Sequence, residues 1–246
     1  MLHKTKGIVL RTTKYRETSL IASVYTEMFG LQSYLVSGVR ASSRRGAGRA
    51  NIIQPASILE MVVYQNELKN LQRIKEFGYA SVYQDLFFNV TKHAVALFMV
   101  EMILKCVKQP EPNEDLFHFA EEAFLRLDNS PEPVVANYAL FFSLHLAGFF
   151  GFRIKDDYSS AKSILDLQEG VFVAERPLHG YYLADTLSYA TSQLLKVMQP
   201  EELAQIGLNR QMRKELLKAF QNFYALHIAD FGVLRTIPVL QIVFGE

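Results

Sequence analysis

The chain has 246 residues, half of them apolar and 21% charged, with 18 Phe and 12 Tyr; this is enough to pack a core and excludes a disordered or fibrous protein. Its one cysteine, Cys106, excludes a disulfide framework and any multi-cysteine zinc or iron–sulfur site. The net charge of +1 is unevenly divided: residues 1–50 carry nine Lys/Arg against Glu17 and Glu27, a net +7, residues 51–80 balance, and the remaining 166 residues carry −6. A basic head on a mildly acidic body is the electrostatic footprint of a polyanion-binding module joined to something else. The opening Met1–Gly7 has neither an apolar stretch nor a small-residue cleavage site, so no secretory leader is expected and the setting reads as reduced and cytosolic.

Residues 4–76 read as strands. Lys4 to Thr12 holds Gly7-Ile-Val-Leu10 between cations, and Ser19 to Thr26 is mostly apolar and partly β-branched. After Phe29-Gly30, Leu31 to Ser37 alternates, with Leu31, Ser33, Leu35 and Ser37 on one face; such a mixed face is usual where the outside of a small barrel carries a ligand. Gly38 to Ala50 holds small residues and four arginines with almost nothing apolar, which predicts a mobile loop. Its Gly46-Ala47-Gly48 lacks the glycine spacing and the Lys-Ser/Thr of a phosphate-cradling loop. Ile52 to Tyr64 reads as a fourth strand, with Gln65-Asn66-Glu67 as a hairpin turn before a fifth at Leu68 to Lys75. Five strands in so short a segment predict a closed barrel, because closure removes exposed edges.

From about Gly78 the period becomes helical. Val90 to Val107 is apolar nearly all round and predicts a central buried helix. Pro110 to Asn113 stops it, and Asn113 is placed to cap Glu114 to Leu127, whose first turn is acidic. Asp128 to Pro133 is a second break, with Pro133 opening a helix to Phe149. The uncharged run Val134 to Phe152 has 19 residues, close to a membrane span in length, but Asn137, Ser143, His145, Gly148 and Gly151 interrupt it; a buried helix running into a turn is expected. Leu208, Met212, Leu216, Phe220, Phe223, Tyr224 and His227 recur at helical spacing, with Arg210, Arg213, Lys214 and Lys218 on the other side and Gly232 as the stop.

Catalytic constellations do not emerge. There is no Gly-x-Ser-x-Gly elbow, and Cys106 sits mid-helix in apolar sequence, as a structural thiol does. His118 with Glu121, and His227 with Asp230, share helix faces, but neither pair has the further ligands a metal needs, so surface histidines are expected and no metal. The pairs Glu121-Glu122, Asp156-Asp157 and Glu201-Glu202 read as caps and solvated charge. The expectation is a protein that is not an enzyme and needs no cofactor.

One series of motifs is specific. Gly7-Ile-Val-Leu10, Lys14-Tyr-Arg-Glu-Thr-Ser19, Tyr25-Thr26, Phe29-Gly30, Val36-Ser-Gly-Val-Arg40 and Gln54-Pro55 resemble, in order and spacing, the opening of the RecO family of DNA repair proteins. The resemblance continues more loosely through Pro131-Glu-Pro133, the aromatic helix ending Gly148-Phe-Phe-Gly151-Phe, and the closing His227 to Thr236. It implies an α+β multidomain protein: an N-terminal five-stranded OB-fold β-barrel over 1–78, then a helical C-terminal domain over 79–246. It also implies binding to single- and double-stranded DNA, annealing of complementary strands, and action with RecR to load RecA on DNA coated by single-strand-binding protein (SSB), in the cytoplasm and at the nucleoid. Many relatives carry two Cys-x-x-Cys pairs after the aromatic helix. The corresponding stretch here, 153–183, has none, so its small subdomain is expected to rest on Ile164, Leu165, Leu167, Val171, Phe172 and Val173 instead.

Cations that contact phosphate neutralise charge and release counterions without reading sequence. The candidates are Lys6, Arg11, Lys14, Arg40, Arg44, Arg45 and Arg49, with Tyr15 as a stacking platform and Tyr34 either stacking or packing the barrel. A receptor for the acidic C-terminal tail of SSB needs an apolar groove with a cation, for which Lys105, Lys108, Arg126 and Arg153 are the weaker candidates. Two other readings stand beside this one: an OB-fold adaptor for structured RNA with a protein-docking helical body, and a small-molecule enzyme in the aromatic helical region. The basic first fifty residues separate the two binding readings from the third.

Overall fold

The computed structural model describes residues 1–39, 51–66 and 68–245. Strands β1 (Leu2–Tyr15), β2 (Ser19–Thr26), β3 (Gly30–Val36), β4 (Ile58–Tyr64) and β5 (Leu71–Tyr79) close into a barrel in the order β1-β2-β3-β5-β4. Neighbours are antiparallel except β3 and β5, which pair in parallel over Ser33–Leu35 and Leu71–Arg73. Closure depends on the length of β1. Leu2–Ile8 pairs with β4 and Gly7–Tyr15 with β2, and the register shifts between Val9 and Arg11. A bulge there bends the strand and increases its twist, so one strand serves both sides of the barrel.

The barrel core gathers Val9, Ala22, Val24, Tyr34, Val36, Leu59, Met61 and Val63. Gly7 faces this core, where an added Cβ would stand 2.5 Å from both Met61 Cε and Val24 Cγ1. β4 begins at Ile58 rather than Ile52. Pro55 has no amide to give a ladder and Ala56 takes φ +73°, so the chain turns before the strand starts. The turn still extends the pairing of β1, because Ala56 N donates to Val9 O at 2.8 Å and Val9 N donates to Ser57 O at 2.9 Å. β5 likewise begins at Leu71 rather than Leu68. The buried Gln72 side chain holds the preceding turn, accepting from Asn66 N at 2.9 Å and donating to Asn66 O at 2.8 Å. Glu67 of the expected hairpin turn lies outside the described residues.

Helices follow: α1 (Val90–Cys106), α2 (Glu114–Asn129) and α3 (Glu132–Ala147). The Asn113 side chain caps α2 by accepting from Leu116 N at 2.9 Å. Pro133 lies in the first turn of α3, where its missing N–H costs nothing. Glu132–Phe150 is long and apolar enough to cross a membrane by length and composition, yet 67% of its most apolar window is packed inside the protein. A 3₁₀ turn over Gly148–Phe150 ends with Gly151 at φ +82°. Strands β6 (Ile164–Asp166), β7 (Val171–Val173) and β8 (Tyr182–Leu183) form a small sheet in the order β7-β6-β8.

That sheet is the cysteine-free subdomain. Leu165, Leu167 and Phe172 are buried in it, whereas Ile164, Val171 and Val173 are half-buried. Carboxylates add backbone bonds: Asp157 accepts from Phe172 N at 3.1 Å and Asp166 from Gln168 N at 2.8 Å. Then come α4 (Asp185–Leu195), a 3₁₀ segment (Pro200–Gln205), α5 (Arg210–His227) and α6 (Ile237–Val243). Asn209 caps α5 by accepting from Met212 N at 2.9 Å. The helix stops at His227, five residues before Gly232, which takes φ +65° in a later turn. The chain forms two compact units, Met1–Gln84 with Ile103–Leu125, and Asp85–Met102 with Arg126–Glu246.

Candidate nucleic-acid interface

Alternation on either side of the bulge decides where the cations of β1 point. Beyond it, Arg11 stands opposite Ser23, Thr13 opposite Ile21 and Tyr15 opposite Ser19, on the outer face. The outer rows continue across β2 and β3 into β5, as Arg11–Ser23–Ser33–Leu71 and Thr13–Ile21–Leu35–Arg73. Arg11, Leu71 and Arg73 are exposed, and Ile21, Ser23, Ser33 and Leu35 are half-buried. The result is a shallow four-strand face of small polar and aliphatic side chains with an arginine at either side.

Two more exposed cations stand beyond the bulge, Lys14 near the close of β1 and Arg16 in the β1–β2 turn. Arg16 takes φ +55°, which places its guanidinium 5.3 Å from the centre of the half-buried Tyr15 ring. None of Arg11, Lys14, Arg16 and Arg73 has an ion-pair partner among the described residues. Leu20 pairs with both Lys14 and Val36, so the end of β3 lies at the same end of the barrel as this turn. Arg40, Arg44, Arg45 and Arg49 lie outside the described residues.

Two expected contacts are placed differently. Lys6 is held by an internal carboxylate: its Nζ donates to Glu121 Oε1 at 2.8 Å, and that glutamate side chain is only 12% exposed. The hydrogen bond to Glu121 raises the lysine's pKa, and Lys4 is likewise 3.2 Å from Glu60. The cations before the bulge therefore meet carboxylates, Lys4 that of Glu60 on β4 and Lys6 that of Glu121 on α2. Tyr34 is wholly buried in the barrel core, with its phenol pushed up by burial, so it packs and presents no face for a base. Arg73 lies in a charge-balanced segment, and its parity with Leu71 is the sequence signal that sets it on this face.

The weaker partner candidates divide between the units. Lys108 is exposed in the first unit, where with Lys69, Phe29, Gln32 and Pro110 it lines a cleft of about 550 Å³. Lys105 is half-buried in the same unit. In the second unit Arg153 is exposed, while Arg126 is engaged by Gln199 at 2.6 Å and Glu201 at 3.5 Å. Cys106 is buried, which pushes its thiol pKa up and keeps it protonated. His227 stacks on Phe152 with ring centres 5.0 Å apart. His118 is different: Glu27 and Glu114 both approach it, a convergence its helix spacing alone could not show.

A closed β1-β2-β3-β5-β4 barrel with one parallel pair is an OB-fold, so the class is an OB-fold protein with a helical extension, carrying a basic corner that has no ion-pair partner among the described residues. Comparison with known families narrows this. Residues 1–82 match the family model "Recombination protein O N terminal" and residues 88–233 match "Recombination protein O C terminal". The chain is 31% identical to the DNA repair protein RecO of Bacteroides fragilis over 99% of its own length and all of the relative's. It is 31% identical to that of Phocaeicola vulgatus and 30% identical to that of Christiangramia forsetii, each over the whole of both chains. The chain belongs to the RecO family, and its role is in DNA repair and recombination.

Proposed function

We propose that the protein is a non-enzymatic recombination mediator of the cytoplasm and nucleoid. It holds single- and double-stranded DNA by the backbone, anneals complementary strands, and acts with RecR to load RecA on SSB-coated DNA. DNA binding is assigned to residues 1–78 and partner docking, including the SSB tail, to residues 79–246.

The observation carrying this reading is the division of cations along β1 and the turn after it: Lys4 and Lys6 meet carboxylates, whereas Arg11, Lys14 and Arg16 meet none among the described residues. Annealing requires two polyanions to approach while their bases stay free to pair. Unpaired cations answer that need, since phosphate contact lowers strand repulsion without covering base edges. Arg73 and Tyr15 join the site, Arg40, Arg44, Arg45 and Arg49 extend it in sequence, and Lys6 and Tyr34 leave it. The test is fluorescence annealing of complementary strands coated with SSB. The wild-type protein accelerates annealing and the triple variant Arg44→Ala, Arg45→Ala, Arg49→Ala slows it. A protein that binds structured RNA but leaves coated DNA strands unannealed contradicts the proposal.

A further inference from the structure

Glu27 lies in the turn between β2 and β3, and Glu114 and His118 stand one turn apart on α2. Their ligand atoms all fall within 4.8 Å of one another. His118 Nε2 is 3.6 Å from Glu27 Oε1 and 3.7 Å from Glu114 Oε1. A tetrahedral zinc with bonds of about 2.0–2.2 Å sets its donor atoms roughly 3.3–3.6 Å apart, so the two histidine–carboxylate separations need little adjustment. The other imidazole nitrogen faces a carboxylate as well: Nδ1 is 3.7 Å from Glu121 Oε2. Glu121 is fixed in place, because its Oε1 accepts from Lys6 and its side chain is largely buried. At 3.7 Å the contact is longer than a hydrogen bond, but it sets the acid on the Nδ1 side of the ring, the side from which an outer carboxylate orients a ligating histidine and leaves Nε2 for the metal.

Charge points the same way. Glu27, Glu114 and Glu121 surround a single imidazole, and Lys6 is the one lysine within ion-pair distance of any of them among the described residues. Three carboxylates against one lysine leave a negatively charged site, which suits a dication. Helix capping accounts for Glu114 but not for Glu27, which arrives from a different element.

We propose that Glu27, Glu114 and His118 bind a zinc-class divalent ion, with Glu121 as the orienting outer carboxylate and the fourth position open to water. The ion ties the β2–β3 turn to the start of α2. This site is independent of the DNA-binding reading and of the cysteine pairs of relatives. Imidazole and carboxylate donors favour Zn²⁺ and Co²⁺ over Mg²⁺, which prefers oxygen ligands and retained water.

The experiment titrates the full chain, stripped with chelator, with Co²⁺ and then displaces it with Zn²⁺. Expected is one equivalent with the visible spectrum of tetrahedral Co²⁺, displaced by Zn²⁺, and a higher melting temperature with Zn²⁺. His118→Ala and Glu27→Gln, both changes to side chains outside the core, should each weaken binding roughly tenfold or more and abolish the melting shift. His179→Ala, at a histidine whose neighbours are Asp166 and Tyr181, should change neither. Absence of a tetrahedral spectrum, or binding that survives His118→Ala, overturns the proposal; circular dichroism of each variant separates lost ligation from lost folding.

Discussion

Lys6 and Glu121 are 115 residues apart in sequence and 2.8 Å apart in space. The bond converts a cation of the basic head into a structural tie between β1 and α2 within the first unit. The lysine side chain is 39% exposed, so solvent screens the pair and its contribution is about 1 kcal/mol or less. Lys6→Met should therefore lower stability slightly and leave DNA affinity within about twofold, read by urea denaturation and fluorescence anisotropy. The hydrogen bond raises the folded-state pKa above the ordinary 10.5. A raised lysine contributes its full stabilisation below the unfolded pKa and loses it as pH climbs through the folded one. The stability gap between wild type and Lys6→Met should thus be constant at neutral pH and close only above about pH 10.5. A gap that closes between pH 6 and 8 contradicts the assignment.

Glu101 anchors the C-terminal segment of the second unit. Its carboxylate accepts from Arg235 N and Thr236 N, each at 2.9 Å, and from Thr236 Oγ1 at 2.6 Å. Bonds to a charged acceptor contribute about 1.5–3 kcal/mol, so Glu101→Ala should cost roughly 2–3 kcal/mol. Limited proteolysis should then cut first near residue 235; an unchanged cleavage pattern and denaturation midpoint would refute the anchor.

Tyrosines 15 and 34 should behave as opposites. Tyr34→Ala removes a wholly buried ring and should cost about 3–5 kcal/mol, while Tyr34→Phe keeps the ring and should leave DNA affinity unchanged. Tyr15→Ala should keep stability within about 1 kcal/mol and weaken single-strand binding by about 1–3 kcal/mol if a base stacks there. Equal affinity in Tyr15→Ala and wild type removes Tyr15 from the interface.

Gly30 turns β2 into β3 at φ +61°, and a Cβ there would meet the backbone carbonyl of Glu111. Strain and overlap with main chain add, so Gly30→Ala should destabilise by about 2 kcal/mol or more. A thermal scan that finds wild-type stability contradicts the close approach.

The barrel was legible because strands alternate and punctuate their ends, and the family motifs mark positions with a physical task. Gly7 makes room for Met61 and Val24, and Gly30 admits Glu111. What escaped was set by contacts far along the chain. Nothing local to Lys6 announces Glu121, and nothing near His118 announces Glu27. The start of β4 is not legible, because Ile52 and Ile53 are as apolar as the strand itself and only Pro55 marks the turn. The charge count was right in sum and uninformative in detail, because whether a cation is available depends on the acid it faces.

The salt dependence of DNA affinity tests the central claim most directly. Each phosphate neutralised on a single strand steepens the slope of log K against log salt by about 0.7. The triple variant Arg11→Ala, Lys14→Ala, Arg16→Ala should therefore flatten the slope by about 2 relative to wild type, with similar loss on unrelated sequences, while Lys4→Ala with Lys6→Met leaves it nearly unchanged. An unaltered slope in the first variant, or an equal flattening in the second, would contradict the account.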